Sequence, residues 1–344
     1  MIFGIRESLL GSFGNMEQKI LITGITGFVG SHMADYVLNK GAKVYGLKRW
    51  NLSRLRNVRH ILSEIEFSDC DLTDPIAIQN IIKKIKPDKI FHFAAESFVS
   101  PSWVHPSHYM DVNYKGTVNL LEAVKNHSLQ TKILLAGSSE EYGEVAKEDL
   151  PIVAKTFLQP VSPYGVSKVA QDLIGYVYYR SYGLNVIRTK AFNYEGARRD
   201  NIFGISWYAY QVVRIEQGMQ KPIIRTGLRG DKRTFMHVKD LAQAYWLAID
   251  RCIPGKSYII GADEKKYVYT FDQVLDMLIK KSIYKGKIEK VIDKQFVRPT
   301  SVPRLVSDSS EFRTLTKWEP KIPFNVILDD YFSYWRDFIK KGLY

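Results

Sequence analysis

Lys19-Ile20-Leu21-Ile22-Thr23-Gly24-Ile25-Thr26-Gly27-Phe28-Val29-Gly30 is the stretch whose reading decides the fold. Lys19 to Thr23 form an apolar run too short for a helix and closed by glycine, which reads as a buried strand. Gly24, Gly27 and Gly30 follow as G-x-x-G-x-x-G, and a helical pattern then runs from Ser31 through Leu38 and stops near Gly41. Strand, glycine turn and helix in that order form the context in which such a motif binds a dinucleotide. The glycines let the backbone approach a pyrophosphate, and the free N–H groups and dipole of the helix N-terminus favour the anion. Gly24, Thr26, Gly27, Phe28, Val29 and Gly30 are therefore the expected phosphate-side residues.

Working outward, Lys43 to Leu47 read as a second strand, followed by Lys48 and Arg49, with Arg54 and Arg56 close behind. An acid at this strand end suits the ribose hydroxyls of NAD, whereas basic residues accommodate the 2′-phosphate of NADP. The expectation is NADP in preference to NAD. Glu66 to Leu72 make a third strand and its exit, where Asp71 and Leu72 would face the adenine; an N-cap role for Asp71 is an equal alternative. A fourth strand, Lys89 to Ala95, ends in Ala94 and Ala95, small enough for a cofactor to approach. His92 within it reads as a packed histidine. A polar and aromatic loop covers 96–108, and a helix runs from Asn113 to about Asn126.

Ile133 to Ala136 give a buried strand whose carboxyl end opens into Gly137-Ser138-Ser139-Glu140-Glu141-Tyr142-Gly143. Open α/β sheets place ligands at such strand ends. After Pro163 a second helix start places Tyr164 and Lys168 at i and i+4, one turn apart on one face. A free tyrosine has a pKa of about 10, and an adjacent lysine cation favours its phenolate, so this pair suits proton transfer coupled to hydride chemistry. In an extended loop Glu140 and Glu141 point to opposite sides, so one of them can face a ligand while the other is salt-bridged or solvated.

Further strands are expected at 185–190, 223–225 and 257–260, the last returning to the main sheet, with helices near 201–218, 241–249, 271–279 and 323–338. The fold class is α/β: a doubly wound parallel sheet with a smaller α/β C-terminal lobe over its ligand edge. The expected division is an N-terminal extension at 1–15, a dinucleotide-binding domain at 16–192 with 234–262, and a substrate lobe at 193–233 with 263–344.

A chain of 344 residues with 45% apolar content can bury a full core. The formal charge of +13 raises nucleic acid as a partner, but Lys and Arg are interleaved with Asp and Glu, without long basic runs. The expectation is no nucleic acid. No apolar run approaches the ~20 residues a membrane span requires. Cys70 and Cys252 have neither metal-like nor disulfide-framework spacing, which suits a reducing cytoplasm and no metal.

Assembled in order, these residues resemble the extended short-chain dehydrogenase/reductases and, among them, the sugar-nucleotide 4,6-dehydratases of the GDP-mannose type. The likeness rests on Thr23 to Gly30, the Ser-Ser-Glu loop, Tyr164 with Lys168, Phe192 to Arg199, Lys232 to Phe235 and Arg298-Pro299-Thr300. It implies an NADP-binding Rossmann domain and a GDP-sugar substrate, GDP-mannose or GDP-manno-heptose. Tyr164 would take the C4-hydroxyl proton while hydride leaves C4, Lys168 would lower the tyrosine pKa and hold the nicotinamide ribose, and Ser138 would bind the C4 oxygen. Glu140 would remove the C5 proton; Ser139 stands where some relatives carry an acid, so Glu140 would also serve the C6 hydroxyl. Ser97, Asn193, Asn201, Arg233 and Arg298 would hold the substrate, and a homodimer or homotetramer is implied. Phe28-Val29, Tyr194 to Ala197 and Ser301 depart from the dehydratase pattern. A sugar-nucleotide 4-reductase, a 4-epimerase, a decarboxylase of nucleotide uronic acids and a catalytically dead NADP-binding regulator are the competing readings.

Overall fold

The computed structural model describes residues 17–262 and 266–342; the N-terminal extension expected at 1–15 lies outside them. β1 (Lys19–Thr23), β2 (Lys43–Lys48), β3 (Ile65–Asp69), β4 (Lys89–His92), β5 (Lys132–Ser138), β6 (Asn185–Ala191) and β7 (Ser257–Ile260) form one sheet in the order β7-β6-β5-β4-β1-β2-β3. Every neighbouring pair is parallel. Parallel strands need crossovers, and the sheet is therefore covered on both faces. Ile20 and Ile22 pack with Met33 and Val37 of α1 (Phe28–Leu38). Leu21, pointing the other way, packs with Ile78 and Ile82 of α2 (Pro75–Ile85) and with Leu120 and Val124 of α3 (Gly116–His127).

The chain order reverses between β1 and β4, which opens the crevice at the strand carboxyl ends where doubly wound sheets bind ligands. α4 (Pro163–Tyr182) borders that crevice and is fixed at both ends by its own sequence. Ser162 Oγ accepts the Gly165 N–H at 3.0 Å, Pro163 occupies the first turn, and Gly183 closes the helix at φ 71°.

A second core unites α5 (Gly204–Glu216), α7 (Phe271–Lys281) and α9 (Phe324–Lys340) through Ile205, Val212, Leu275, Ile327 and Trp335. α6 (Val238–Arg251) lies on the main sheet beside α1, as do Phe312 of α8 (Ser310–Thr316) and Trp318, which fall within the stretch 263–344 expected in the substrate lobe. The strands at Lys232–Thr234, Val268–Thr270, Glu289–Ile292 and Arg304–Leu305 escape a sequence reading because they are too short to show a period. His92 is a packed histidine, as expected, bridging Thr23 Oγ1 at 2.8 Å and Thr117 Oγ1 at 2.9 Å.

Candidate active site

The cradle at the β1–α1 turn is built by missing side chains. Gly24 has φ +67°, and a Cβ there would lie 2.8 Å from the Ala94 nitrogen; one at Gly30 would lie 2.2 Å from the Gly24 oxygen. Thr23 Oγ1 accepts the N–H groups of Phe93 and Ala94, both at 3.1 Å, which ties the ends of β1 and β4 together. Gly27 caps α1 without a side chain, so no side-chain oxygen occupies the helix N-terminus. Residues of this kind fit a dinucleotide pyrophosphate. The Thr26 carbonyl accepts from Asn57 Nδ2 at 3.2 Å, Val29 packs against the sheet core, and the Phe28 ring stacks on Tyr194 at 6.0 Å. Gly30→Ala should cost about 1–3 kcal/mol of stability, because its Cβ meets rigid backbone. Thermal unfolding and cofactor titration check this, and an unchanged pair of values would show that the turn is not closed as described.

Where the adenine is expected, Lys48 is held by Asp69, while Arg49 Nη1 lies 3.7 Å from Glu96 Oε1. Asp71 is exposed and is not a helix cap: Asp74 caps α2. Burial pushes the Asp71 carboxyl up, but the Thr73 N–H at 2.9 Å and hydroxyl at 2.7 Å, with Arg49, hold it below its ordinary value. Leu72 is buried, and its carbonyl accepts from Asn119 at 2.8 Å. Ala95 follows Ala94 into the loop after β4.

The residues expected to be catalytic meet where β5 ends. The loop is a tight turn, Ser139–Glu141, rather than the extended segment expected, with Ser138 as its cap. Ser138 Oγ accepts the Glu140 N–H at 3.2 Å, and Ser138 is the polar neighbour that favours the Tyr164 phenolate. Burial holds the Tyr164 phenol well above its ordinary pKa, and the Ser138 contact offsets only part of that. Lys168, one turn along α4, donates to the Ala136 carbonyl at 2.6 Å and to Gln171 Oε1. Burial lowers its pKa to about 8, against the opposing pull of Glu141 and Asp172.

The two glutamates do point to opposite sides. Glu141 is fully buried. Glu140 faces the ligand edge, its Oε1 3.5 Å from Arg298 Nη1. Arg233 is buried nearby, donates to the Lys232 carbonyl at 2.8 Å and lies 3.6 Å from Asp231. Burial depresses the Arg233 guanidinium, Asp231 and Glu140 support its charge, and Arg298 opposes it. Two arginines beside one carboxylate make a site suited to a diphosphate. Asn193 Oδ1, at the exit of β6, is buried without a hydrogen-bond partner. Ser139 is buried beneath the turn, Asn201 lies in the turn ahead of α5, and Ser97 is exposed in the loop after β4.

Asn113 escaped the sequence reading. The chain around it winds as a π-helical turn, Met110–Lys115, ahead of α3. Its side chain accepts the Glu96 N–H at 2.8 Å and donates to the Glu96 carbonyl at 3.0 Å and to Ser167 Oγ at 2.9 Å. It thereby ties the loop after β4 to the residue preceding Lys168. The signal available was an asparagine at a helix start, which is too common to decide. Asp172, Arg188 and Lys190 were also missed, although alternating cations on a strand covered on both faces imply buried partners.

A sequence model of the GDP-mannose 4,6 dehydratase family matches residues 21–331. A GDP-mannose 4,6 dehydratase from Cricetulus griseus is 30% identical over 348 residues, spanning 94% of this chain and 92% of that one. Among solved structures, a dTDP-glucose 4,6-dehydratase from Bacillus anthracis in complex with NAD matches with a TM-score of 0.80 at 26% identity, over 95% of this chain and 100% of that one. The protein RMD from Pseudomonas aeruginosa, complexed with NADPH, matches in fold with a TM-score of 0.78 at 24% identity, over 93% and 99%.

Proposed function

Because this chain belongs to the GDP-mannose 4,6-dehydratase family, we propose that it removes water across C5 and C6 of a GDP-sugar, GDP-mannose or GDP-manno-heptose, to give the 4-keto-6-deoxy product. The activity is that of a nicotinamide-dependent carbon–oxygen lyase. The observation that carries this reading is Glu140, a carboxylate at the ligand edge beside Ser138 and Arg298, where a 4-reductase or 4-epimerase has no use for a base.

When bound, the nicotinamide cofactor supplies a reversible hydride acceptor and is not consumed. Tyr164, as the phenolate that the Lys168 cation and Ser138 favour, receives the C4-hydroxyl proton, and Ser138, at the cap of the turn, holds the C4 oxygen. Lys168 supplies a fixed cation one turn below. A C4 ketone makes the C5 proton acidic, and Glu140 removes it. Ser139 is buried, so Glu140 also delivers a proton to the departing C6 hydroxyl. Asn193, Asn201, Arg233 and Arg298, with Ser97 at the rim, hold the nucleotide. A diphosphate that engages Arg298 draws it off Glu140 and frees the base.

The test is incubation of the purified protein with both GDP-sugars in heavy water, without added cofactor. A 6-deoxy-4-keto product with one solvent deuterium at C5 is expected. A product that demands stoichiometric NADPH makes the protein a reductase, and C4 inversion with the C6 hydroxyl retained makes it an epimerase.

NADP is the cofactor this reading favours. Lys48 is engaged by Asp69, whereas Arg49 at the β2 exit is half-exposed and only loosely paired with Glu96 at 3.7 Å, so it is the cation that would turn to a 2′-phosphate. Arg49→Ala should weaken NADP binding about tenfold through loss of a charge-assisted contact while leaving NAD binding unchanged. Equal weakening of both, by calorimetry, would assign the preference elsewhere. The partner is a second copy of the chain: α4 exposes Val166, Leu173 and Val177 at 48%, 50% and 43%, along one side of the helix that carries Tyr164 and Lys168. Leu173→Lys should shift a homodimer or homotetramer to smaller species by light scattering; an unmoved mass would place the interface on another face. Among the described residues no helix is long and apolar enough to cross a membrane. Cys70 and Cys252 are buried free thiols, which suits the cytoplasm.

A further inference from the structure

Behind the Ser138 turn lies a buried set of charges that the steps above do not use. Glu141 Oε1 accepts the Ser138 N–H at 2.7 Å, and its Oε2 lies 3.3 Å from Lys190 Nζ on β6. Lys190 also lies 2.9 Å from Asp172 Oδ2 on α4 and donates to Ser257 Oγ on β7 at 2.9 Å. Arg188 Nη1 meets the same Asp172 oxygen at 2.7 Å. Asp172 is four residues beyond Lys168, on the same face of α4. Gly137 makes room for this packing: a Cβ there would sit 2.5 Å from Glu141 Oε1.

Burying ions is costly, and apolar residues could fill the same volume. The network instead joins, through β6, the turn that carries Ser138 and Glu140 to the helix that carries Tyr164 and Lys168. We propose that Glu141 is a positioning residue for the dehydration: one oxygen fixes the backbone of Ser138 at the head of the turn, and its charge, linked through Lys190 to Asp172, keeps Lys168 cationic. The inference rests on the dehydratase reading above. The charged and titratable groups around Glu141 and Lys168 are Lys190 and Arg188 on β6, Asp172 and Tyr164 on α4, Tyr142 on the turn and His92 on β4. Burial raises the Glu141 carboxyl to about 7, with Lys190 opposing the rise. Glu141 and Asp172 are the anions that support the Lys168 ammonium.

Glu141→Gln keeps an acceptor for the Ser138 N–H and removes the charge. The expected result is a kcat about tenfold lower with KM for the GDP-sugar unchanged. The basic limb of the kcat profile should move toward neutrality by about one pH unit, because Lys168 loses its proton more readily. A folded Glu141→Gln with wild-type kcat and an unmoved limb overturns the proposal. The double variant Glu141→Leu with Lys190→Leu removes the ion pair as a unit and guards against loss of fold. Its kcat should still fall about tenfold, since the Ser138 N–H has lost its acceptor; a wild-type rate overturns the proposal. If the wild-type protein yields no dehydrated product, the dehydratase reading fails, and a 13C NMR titration of the Lys168 Cε still decides the inference. A lower Lys168 pKa in Glu141→Gln supports it, and the same pKa in both proteins contradicts it.

Discussion

Glu140→Gln should abolish water loss while the protein still binds its nicotinamide cofactor. General bases contribute about 10²–10⁴ in rate, and a residue that serves C5 and then the C6 hydroxyl belongs at the upper end of that range. Glutamine preserves the shape and can still face Arg298, so the loss reports proton transfer rather than packing. Glu141 cannot take over. It is fully buried, bonded to the Ser138 N–H and set against Lys190 on the far side of the turn. Product assay and cofactor titration on the same preparation separate the two effects. Persistent turnover would remove Glu140 from the role of base.

Tyr164→Phe should lower kcat by about 10³, the general acid–base range again, but by stopping the sequence one step earlier. Without the phenol the C4-hydroxyl proton has no acceptor, so C5 never becomes acidic. The two variants therefore differ in a way that activity alone does not show. Glu140→Gln should still form the C4 ketone, whereas Tyr164→Phe should form none and should exchange no C5 proton with solvent. Phenylalanine keeps the buried ring and removes only the hydroxyl, so the change should cost only about 1 kcal/mol of stability. A Tyr164→Phe protein that exchanges C5 at the wild-type rate would contradict the assignment.

The sheet was legible because each of its strands is a local event. Ile20 to Ile22 need only be apolar and brief, and Gly24, Gly27 and Gly30 need only be small at a fixed spacing. The residues gathered at the end of β5 were legible for the same reason, since Tyr164 and Lys168 are one helical turn apart and Ser138 to Glu140 are contiguous, although the loop was expected extended and is a tight turn. What escaped depends on partners distant in sequence. The Glu140–Arg298 pair spans 158 residues. Glu141 meets Lys190, and Lys190 meets Asp172, across three elements. The spacing of Lys168 from Tyr164 was legible, but the Ala136 carbonyl on which its ammonium rests is a backbone group that no side-chain pattern announces. The short strands around Arg233 were hidden for another reason, since two or three residues carry no period.

Following one hydrogen tests the central claim most directly. A GDP-sugar carrying deuterium at C4 should give a 4-keto-6-deoxy product with that deuterium on C6 of the same molecule, without dilution by solvent or consumption of added cofactor. Deuterium that appears in water, or that stays at C4, would contradict the account.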